Sequence, residues 1–312
     1  MKRVAFIFPG QGSQQIGMGK SFIDRYDAAR ELLEEANDAL GYDLRELLFY
    51  ENDRLSQTRY TQSAILFVSL MAHKLFENEL PIKPLYALGH SLGELSAVGA
   101  MGGLTFADAL KTADRRGELM QKACEGKNAS MMVVLGIADR AAEEVCAEAR
   151  ENGREVYPAN YNSDGQIVIA GIKDDLALSE EMFKKAGAKR TLLLDMSVAS
   201  HCPLQAQAAE PFREWLEAHL NGPLIAPVVS NAEAKPYRAK EDAIAQLQNQ
   251  LVKPVLYKQC IRAIEGEVDL FIEFGNSQVL KGLNKKITAK PTISVSNAED
   301  LEGLIAELGG EE

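Results

Sequence analysis

Cysteine is scarce and scattered: the 312-residue chain has four, Cys124, Cys146, Cys202 and Cys260, and no CxxC pair. Neither a disulfide framework nor a zinc site is expected, and the pattern suits a reducing compartment. No stretch approaches the roughly 20 apolar residues that a membrane helix needs. Met1-Lys2-Arg3 runs straight into the strand-like Val4-Ala5-Phe6-Ile7-Phe8, not into the apolar region of a signal peptide. A cytoplasmic protein without membrane contact is the expectation. A basic stripe is also missing: 34 Lys and Arg stand against 45 Asp and Glu, a formal net charge of −11 that argues against nucleic acid as a partner. Internal repeats and low-complexity tracts are absent, which sets aside solenoids. Histidine is equally scarce, with four in the chain, and that makes a search for a catalytic base tractable.

What remains is ordinary globular material, 46% hydrophobic and 25% charged, in a length that suits a large domain carrying a smaller inserted one. A buried strand from Arg3 to Phe8 runs into a glycine turn, Pro9-Gly10-Gln11-Gly12-Ser13-Gln14-Gln15, followed by helical sequence from about Gly17 to Tyr50. Helical spacing recurs over Thr61 to Leu80 and Thr105 to Cys124, with a short apolar strand, Leu85 to Leu88, between them. From about Ser130 the rhythm becomes strand 130–136, helix 139–152, strand 156–161, strand 165–171, helix 174–186 and strand 189–195. That βαββαβ order is the signature of a ferredoxin-like unit. The αβ alternation then resumes: helix 204–220, strand 226–230, helices 241–251 and 256–265, strand 270–274, and a terminal helix over Leu301 to Leu308 capped by Gly309-Gly310. The expected class is α/β, with a small unit over 128–197 inserted between 1–127 and 198–312.

Gly89-His90-Ser91-Leu92-Gly93 follows the short apolar strand and precedes a helix-like run, the context in which GxSxG presents a serine at a sharp strand-to-helix turn. Ser91 is the expected covalent nucleophile of an acyl-transferring enzyme, with the backbone N–H of Leu92 beside it as one oxyanion donor. The earlier glycine turn satisfies neither a dinucleotide nor a P-loop fingerprint, so Gln11 is the candidate for the second donor. Among the histidines, His73 sits within an amphipathic helix, His219 near a helix C-terminus, and His90 points away from its neighbour Ser91; elimination leaves His201 as the general base. Asp195 or a backbone carbonyl could orient it, and either Arg115 or Arg116 could anchor a substrate carboxylate.

Several segments taken together resemble the malonyl-CoA:acyl carrier protein transacylase family. They are Phe8-Pro9-Gly10-Gln11-Gly12-Ser13-Gln14, Gly89-His90-Ser91-Leu92-Gly93-Glu94, Arg116-Gly117, Asn160-Tyr161-Asn162-Ser163, Ser200-His201-Cys202 and Gln250-Leu251 with Pro254-Val255, in order along nearly the whole chain. The resemblance implies an α/β-hydrolase-like large domain with a ferredoxin-like insertion. It also implies ping-pong malonyl transfer from malonyl-CoA to the phosphopantetheine thiol of an acyl carrier protein, for fatty-acid synthesis. By match, Ser91 and His201 are catalytic, the Gln250 backbone carbonyl orients His201, Gln11 and Leu92 hold the oxyanion, and Arg116, Asn160 and Asn162 bind substrate. No cofactor or metal is implied beyond the coenzyme A thioester used as substrate, and a monomer is expected. Two segments depart from the family pattern: Gly275-Asn276-Ser277 replaces a Gly-Pro-Gly turn, and Ser63 follows Gln62 where proline is usual. The rival readings are a polyketide acyltransferase acting in trans and an α/β serine hydrolase, which would give the acyl group to water.

Overall fold

The computed structural model describes residues 2–310. The chain opens with β1 (Val4–Phe8), every residue buried as befits a strand covered on both faces. The helical segment that follows is broken into α1 (Lys20–Arg25), α2 (Asp27–Leu40) and α3 (Leu44–Phe49), because extended Tyr26 ends the first and left-handed Gly41 ends the second. Next come α4 (Thr58–Glu79), β2 (Tyr86–Gly89), α5 (Leu92–Ala100) and α6 (Phe106–Ala123). The long α4 is buried along most of its length and packs against α6, where Gly117 brings the two helix backbones together: a Cβ there would lie 2.5 Å from the Arg59 Cα.

The middle of the chain is β3 (Ala129–Leu135), α7 (Asp139–Glu151), β4 (Val156–Ser163), β5 (Gln166–Ile172), α8 (Lys173–Lys185) and β6 (Arg190–Leu193), each within a few residues of expectation. Its four strands form a separate antiparallel sheet, ordered β4-β5-β3-β6, over its own core of Met132, Val134, Val145, Ile167, Ile169 and Phe183. The rest comprises a 3₁₀ turn (Pro203–Gln205), α9 (Ala206–His219), β7 (Val228–Val229), β8 (Pro236–Tyr237), α10 (Lys240–Val252), α11 (Tyr257–Ile264), β9 (Leu270–Phe274), α12 (Val279–Asn284), β10 (Thr292–Val295) and α13 (Ala298–Gly309). The strand expected over 226–230 shrinks to two residues, and β8, α12 and β10 were not anticipated. Gly310 has φ −87°, so the last helix ends without the left-handed glycine cap that the sequence promised.

The larger sheet runs β10-β9-β1-β2-β7-β8, parallel except for β8. Register pairs Phe8 with Gly89, so β1 and β2 end side by side and the loops after them meet at the carboxyl edge, where open α/β sheets place their ligands. The smaller sheet is tied to that edge through Val255, whose carbonyl accepts from Tyr161 N–H and whose N–H donates to Ala159 O, both at 2.8 Å. Lys258 adds ion pairs to Asp139 at 2.7 Å and Asp164 at 3.0 Å.

Candidate active site

Ser91 stands between β2 and α5 with φ 55° and ψ −108°, a conformation costly for a residue with a Cβ and typical of functional turns. The turn is held by close packing. A Cβ on Gly93 would lie 1.9 Å from the Phe8 carbonyl oxygen, so only glycine lets α5 sit on the end of β1. Gly93→Ala is therefore expected to cost more than about 3 kcal/mol, since the neighbour is backbone and cannot yield. A urea midpoint unchanged from wild type would refute this packing account.

The Ser91 hydroxyl lies 2.7 Å from His201 Nε2, and His201 Nδ1–H donates to the Gln250 carbonyl at 2.7 Å. Gln250 is near the end of α10, and the residue four positions on is Pro254, which has no N–H to offer. The helix therefore leaves that carbonyl free, and His201 takes it. This bond fixes the tautomer with Nε2 bare, ready for the serine proton. Burial pushes the His201 pKa down to about 3, assisted by the positive charge of Arg116, so the ring is neutral near pH 7. Like Ser91, His201 has a positive φ, 61°. Asp195, the alternative orienting group, is exposed on the rim of the cleft and makes no bond to His201.

The other histidines are accounted for elsewhere. His73 is packed edge-on against Phe6, Phe8 and Phe274, and burial lowers its pKa to about 4. His219 stacks on Trp215, and His90 Nε2 meets Asn162 Oδ1 at 2.7 Å.

The backbone N–H of Leu92 opens α5, and among the described residues neither it nor that of Gln11 has a hydrogen-bond partner. The Gln11 loop is pressed onto the elbow at Gly10, where a Cβ would lie 2.3 Å from the His90 carbonyl oxygen. The loop is pinned by Ser13 Oγ on Gly10 O (2.9 Å) and by Asn276 Nδ2 on Ser13 O (2.7 Å). Asn276 belongs to the departing Gly275-Asn276-Ser277 segment, and a proline there could not make this bond. Ser63 lies within α4, its hydroxyl donating to Arg59 O at 3.0 Å.

Arg116 of α6 lies wholly buried behind Ser91. Its Nη1 donates to Gln62 Oε1 at 2.8 Å, its Nη2 to Gln250 Oε1 at 2.7 Å and to Ser91 Oγ at 3.3 Å, and its Nε–H has no acceptor. No carboxylate touches it among the described residues, an uncommon state for a buried cation. Burial lowers its pKa to about 10. Arg115, the neighbour that sequence alone could not set aside, is half-buried and spends its charge on Glu118 at 2.6 Å.

A cleft of about 360 Å³ opens over Ser91 and His201. Gln11, Gln62, Ser91 and His201 form its floor, and Asn160, Asn162, Met131 and Val168 of the smaller sheet face them. Three contributors were not singled out in the sequence. Gln62 holds Arg116, Asn231 accepts the Ser91 N–H at 2.8 Å, and Tyr237 bonds Glu94 at 2.9 Å. Asn231 alone carried a signal, as a polar residue just past a short apolar strand.

Comparison with known proteins matches residues 5–299 to the acyl transferase domain model. The malonyl CoA-acyl carrier protein transacylase of Bacillus subtilis is 39% identical over 311 residues, covering 99% of this chain and 98% of that protein. That of Escherichia coli strain K12 is 37% identical, covering 99% and 100%. The crystal structure of the malonyl-CoA:acyl carrier protein transacylase from Helicobacter pylori superposes with a TM-score of 0.97 at 44% identity, covering all of both chains. A type II polyketide acyl-carrier protein in complex with its malonyl-transacylase superposes with a TM-score of 0.94 at 34% identity, covering 98% of this chain and 99% of that one.

Proposed function

This chain belongs to the acyl transferase domain family, and from that premise we propose that Ser91 and His201 carry malonyl between two thiols by a ping-pong route. The enzyme is a malonyl-CoA:acyl carrier protein transacylase that supplies fatty-acid synthesis; malonyl-CoA and an acyl carrier protein are its partners. In the first half, Ser91 Oγ attacks the thioester carbonyl carbon as its proton passes to His201 Nε2. The N–H groups of Gln11 and Leu92 receive the oxyanion. Collapse breaks the C–S bond, His201 returns the proton to sulfur, and coenzyme A leaves malonyl on Ser91. In the second half the carrier thiol gives its proton to His201 and attacks the ester, and Ser91 departs with that proton. Written this way, the reaction needs no bound cofactor.

The observation that carries the malonyl assignment is Arg116, a buried guanidinium with its Nε–H unpartnered and only neutral oxygens, two amide carbonyls and the Ser91 hydroxyl, accepting from its Nη groups. A carboxylate arriving there exchanges a neutral acceptor for a charged one, about twice as strong. It also offsets the positive charge that holds His201 low, so the base gains strength when the correct acyl group is bound. Asn160 and Asn162 bound the substrate from the smaller sheet, with Asn162 also steadying His90. Arg116→Ala should lower kcat/KM for malonyl-CoA by about 2–5 kcal/mol and erode the preference over acetyl-CoA. A loss below about tenfold, or an intact preference, would contradict the anchor.

Finer points of architecture belong to the same reading. The elbow after β2 and the mostly parallel sheet support an α/β-hydrolase-like large domain over 1–127 and 198–312. The βαββαβ order and the antiparallel β4-β5-β3-β6 sheet support a ferredoxin-like unit over 128–197. Among the described residues no helix is long and apolar enough to cross a membrane, which supports a cytoplasmic place of action.

A further inference from the structure

Glu94 closes the Gly89-His90-Ser91-Leu92-Gly93-Glu94 motif, yet the reaction above gives it nothing to do. Its side chain is wholly buried and does not line the cleft. Three donors from outside its own helix converge on the carboxylate: Gln250 Nε2 at 2.6 Å and Asn231 N–H at 2.9 Å on Oε2, and the Tyr237 hydroxyl at 2.9 Å on Oε1. No cation touches it among the described residues.

The chemistry of the intervening group links this buried anion to the buried cation. A guanidinium only donates and a carboxylate only accepts. Gln250 stands between them, its Oε1 on Arg116 Nη2 and its Nε2 on Glu94 Oε2, so each charge fixes the orientation of the same carboxamide. That carboxamide also donates to Ser91 O at 3.0 Å, and its residue's backbone carbonyl holds His201. A direct Glu–Arg pair would occupy the guanidinium and shut out a substrate carboxylate. One amide of separation leaves the cation compensated and still available.

We propose that Glu94 is a positioning residue whose carboxylate, acting through the Gln250 carboxamide, is the counter-ion of Arg116 and sets how strongly the enzyme prefers a carboxylate-bearing acyl group. The proposal rests on the reading of Arg116 as the carboxylate anchor. Burial raises the Glu94 pKa to about 7, while Glu94 is the charge that acts to hold Arg116 protonated. The titratable groups facing Glu94 from other elements are Arg116 on α6, Tyr237 on β8 and Cys260 on α11. Burial raises both Tyr237 and Cys260, so neither ionises near neutrality.

Glu94→Gln tests charge with little change of shape, because its amide oxygen can take the Oε2 donors while the Tyr237 hydroxyl turns to accept. Steady-state kcat/KM is measured with malonyl-CoA and acetyl-CoA against one carrier protein. Removing a buried anion near the malonyl carboxylate should raise the malonyl-to-acetyl ratio by about fivefold or more. In wild type the same ratio should climb from about pH 8.5 to about pH 6, as Glu94 takes up a proton while a malonyl carboxylate stays ionised, and should stay flat in the variant. The wild-type profile decides the matter if the variant does not fold. A purely structural Glu94 would lower both substrates in proportion and leave the wild-type ratio level with pH; either result overturns the proposal. Arg116→Ala separates the two claims. If it leaves the malonyl preference intact, the anchor reading fails. If it abolishes the preference while Glu94→Gln leaves the ratio unmoved, only the role of Glu94 fails.

Discussion

Alanine at Ser91 should reduce malonyl transfer by about 10⁶-fold and leave the fold intact, which is the scale of loss when a serine nucleophile acting with its histidine is removed. The serine contributes little to packing: it is partly exposed, and its backbone N–H on Asn231 and its carbonyl on Gln250 Nε2 do not depend on the hydroxyl. Its φ of 55° also disfavours any side chain, so alanine carries the same backbone strain and far-UV signal and melting should stay near wild type. Loss of turnover without loss of structure is the expected pair of results, read by a carrier-protein acylation assay beside a thermal melt. Residual transfer within tenfold of wild type would mean that the acyl group never rests on Ser91.

His201→Ala should cost nearly as much, because serine and base act as a unit and their separate losses do not add. The double variant with Ser91→Ala should therefore be hardly slower than either single one, a relation checked by a double-mutant cycle on kcat/KM. A second consequence comes from the neutral partner on Nδ1. A backbone carbonyl fixes the tautomer but brings no negative charge to stabilise the imidazolium, so that work falls to the oxyanion and the substrate carboxylate. His201 should therefore matter less for acetyl than for malonyl transfer, since burial depresses the base with either acyl group and only malonyl offsets the Arg116 charge that adds to it. An equal loss with both acyl groups would show that Arg116 and His201 act separately.

Much of this was readable from sequence where local chemistry decides structure. The all-apolar β1 and the glycines flanking Ser91 each specify one geometry locally, and the structure follows them. Short elements at the sheet edges were not legible. Strand β8 has two residues and β10 four, too short for an apolar period to show. In the site, scarcity singled out His201, since the other three histidines could each be assigned a structural place. The choice between Arg115 and Arg116 depends on which face of α6 meets α4, and that is settled by packing at Gly117 and Gln62. Glu94 was visible as a letter in a motif, but its connection to Arg116 runs through Gln250, 156 positions away, and only the folded chain reveals it.

The most direct test of the ping-pong route omits the carrier protein. Wild-type enzyme mixed with malonyl-CoA and quenched should release one coenzyme A per active site in a burst, and peptide mapping by mass spectrometry should place one malonyl group on Ser91. Absence of both burst and adduct, with full activity once carrier protein is added, would contradict the covalent route and point to direct transfer within a ternary complex.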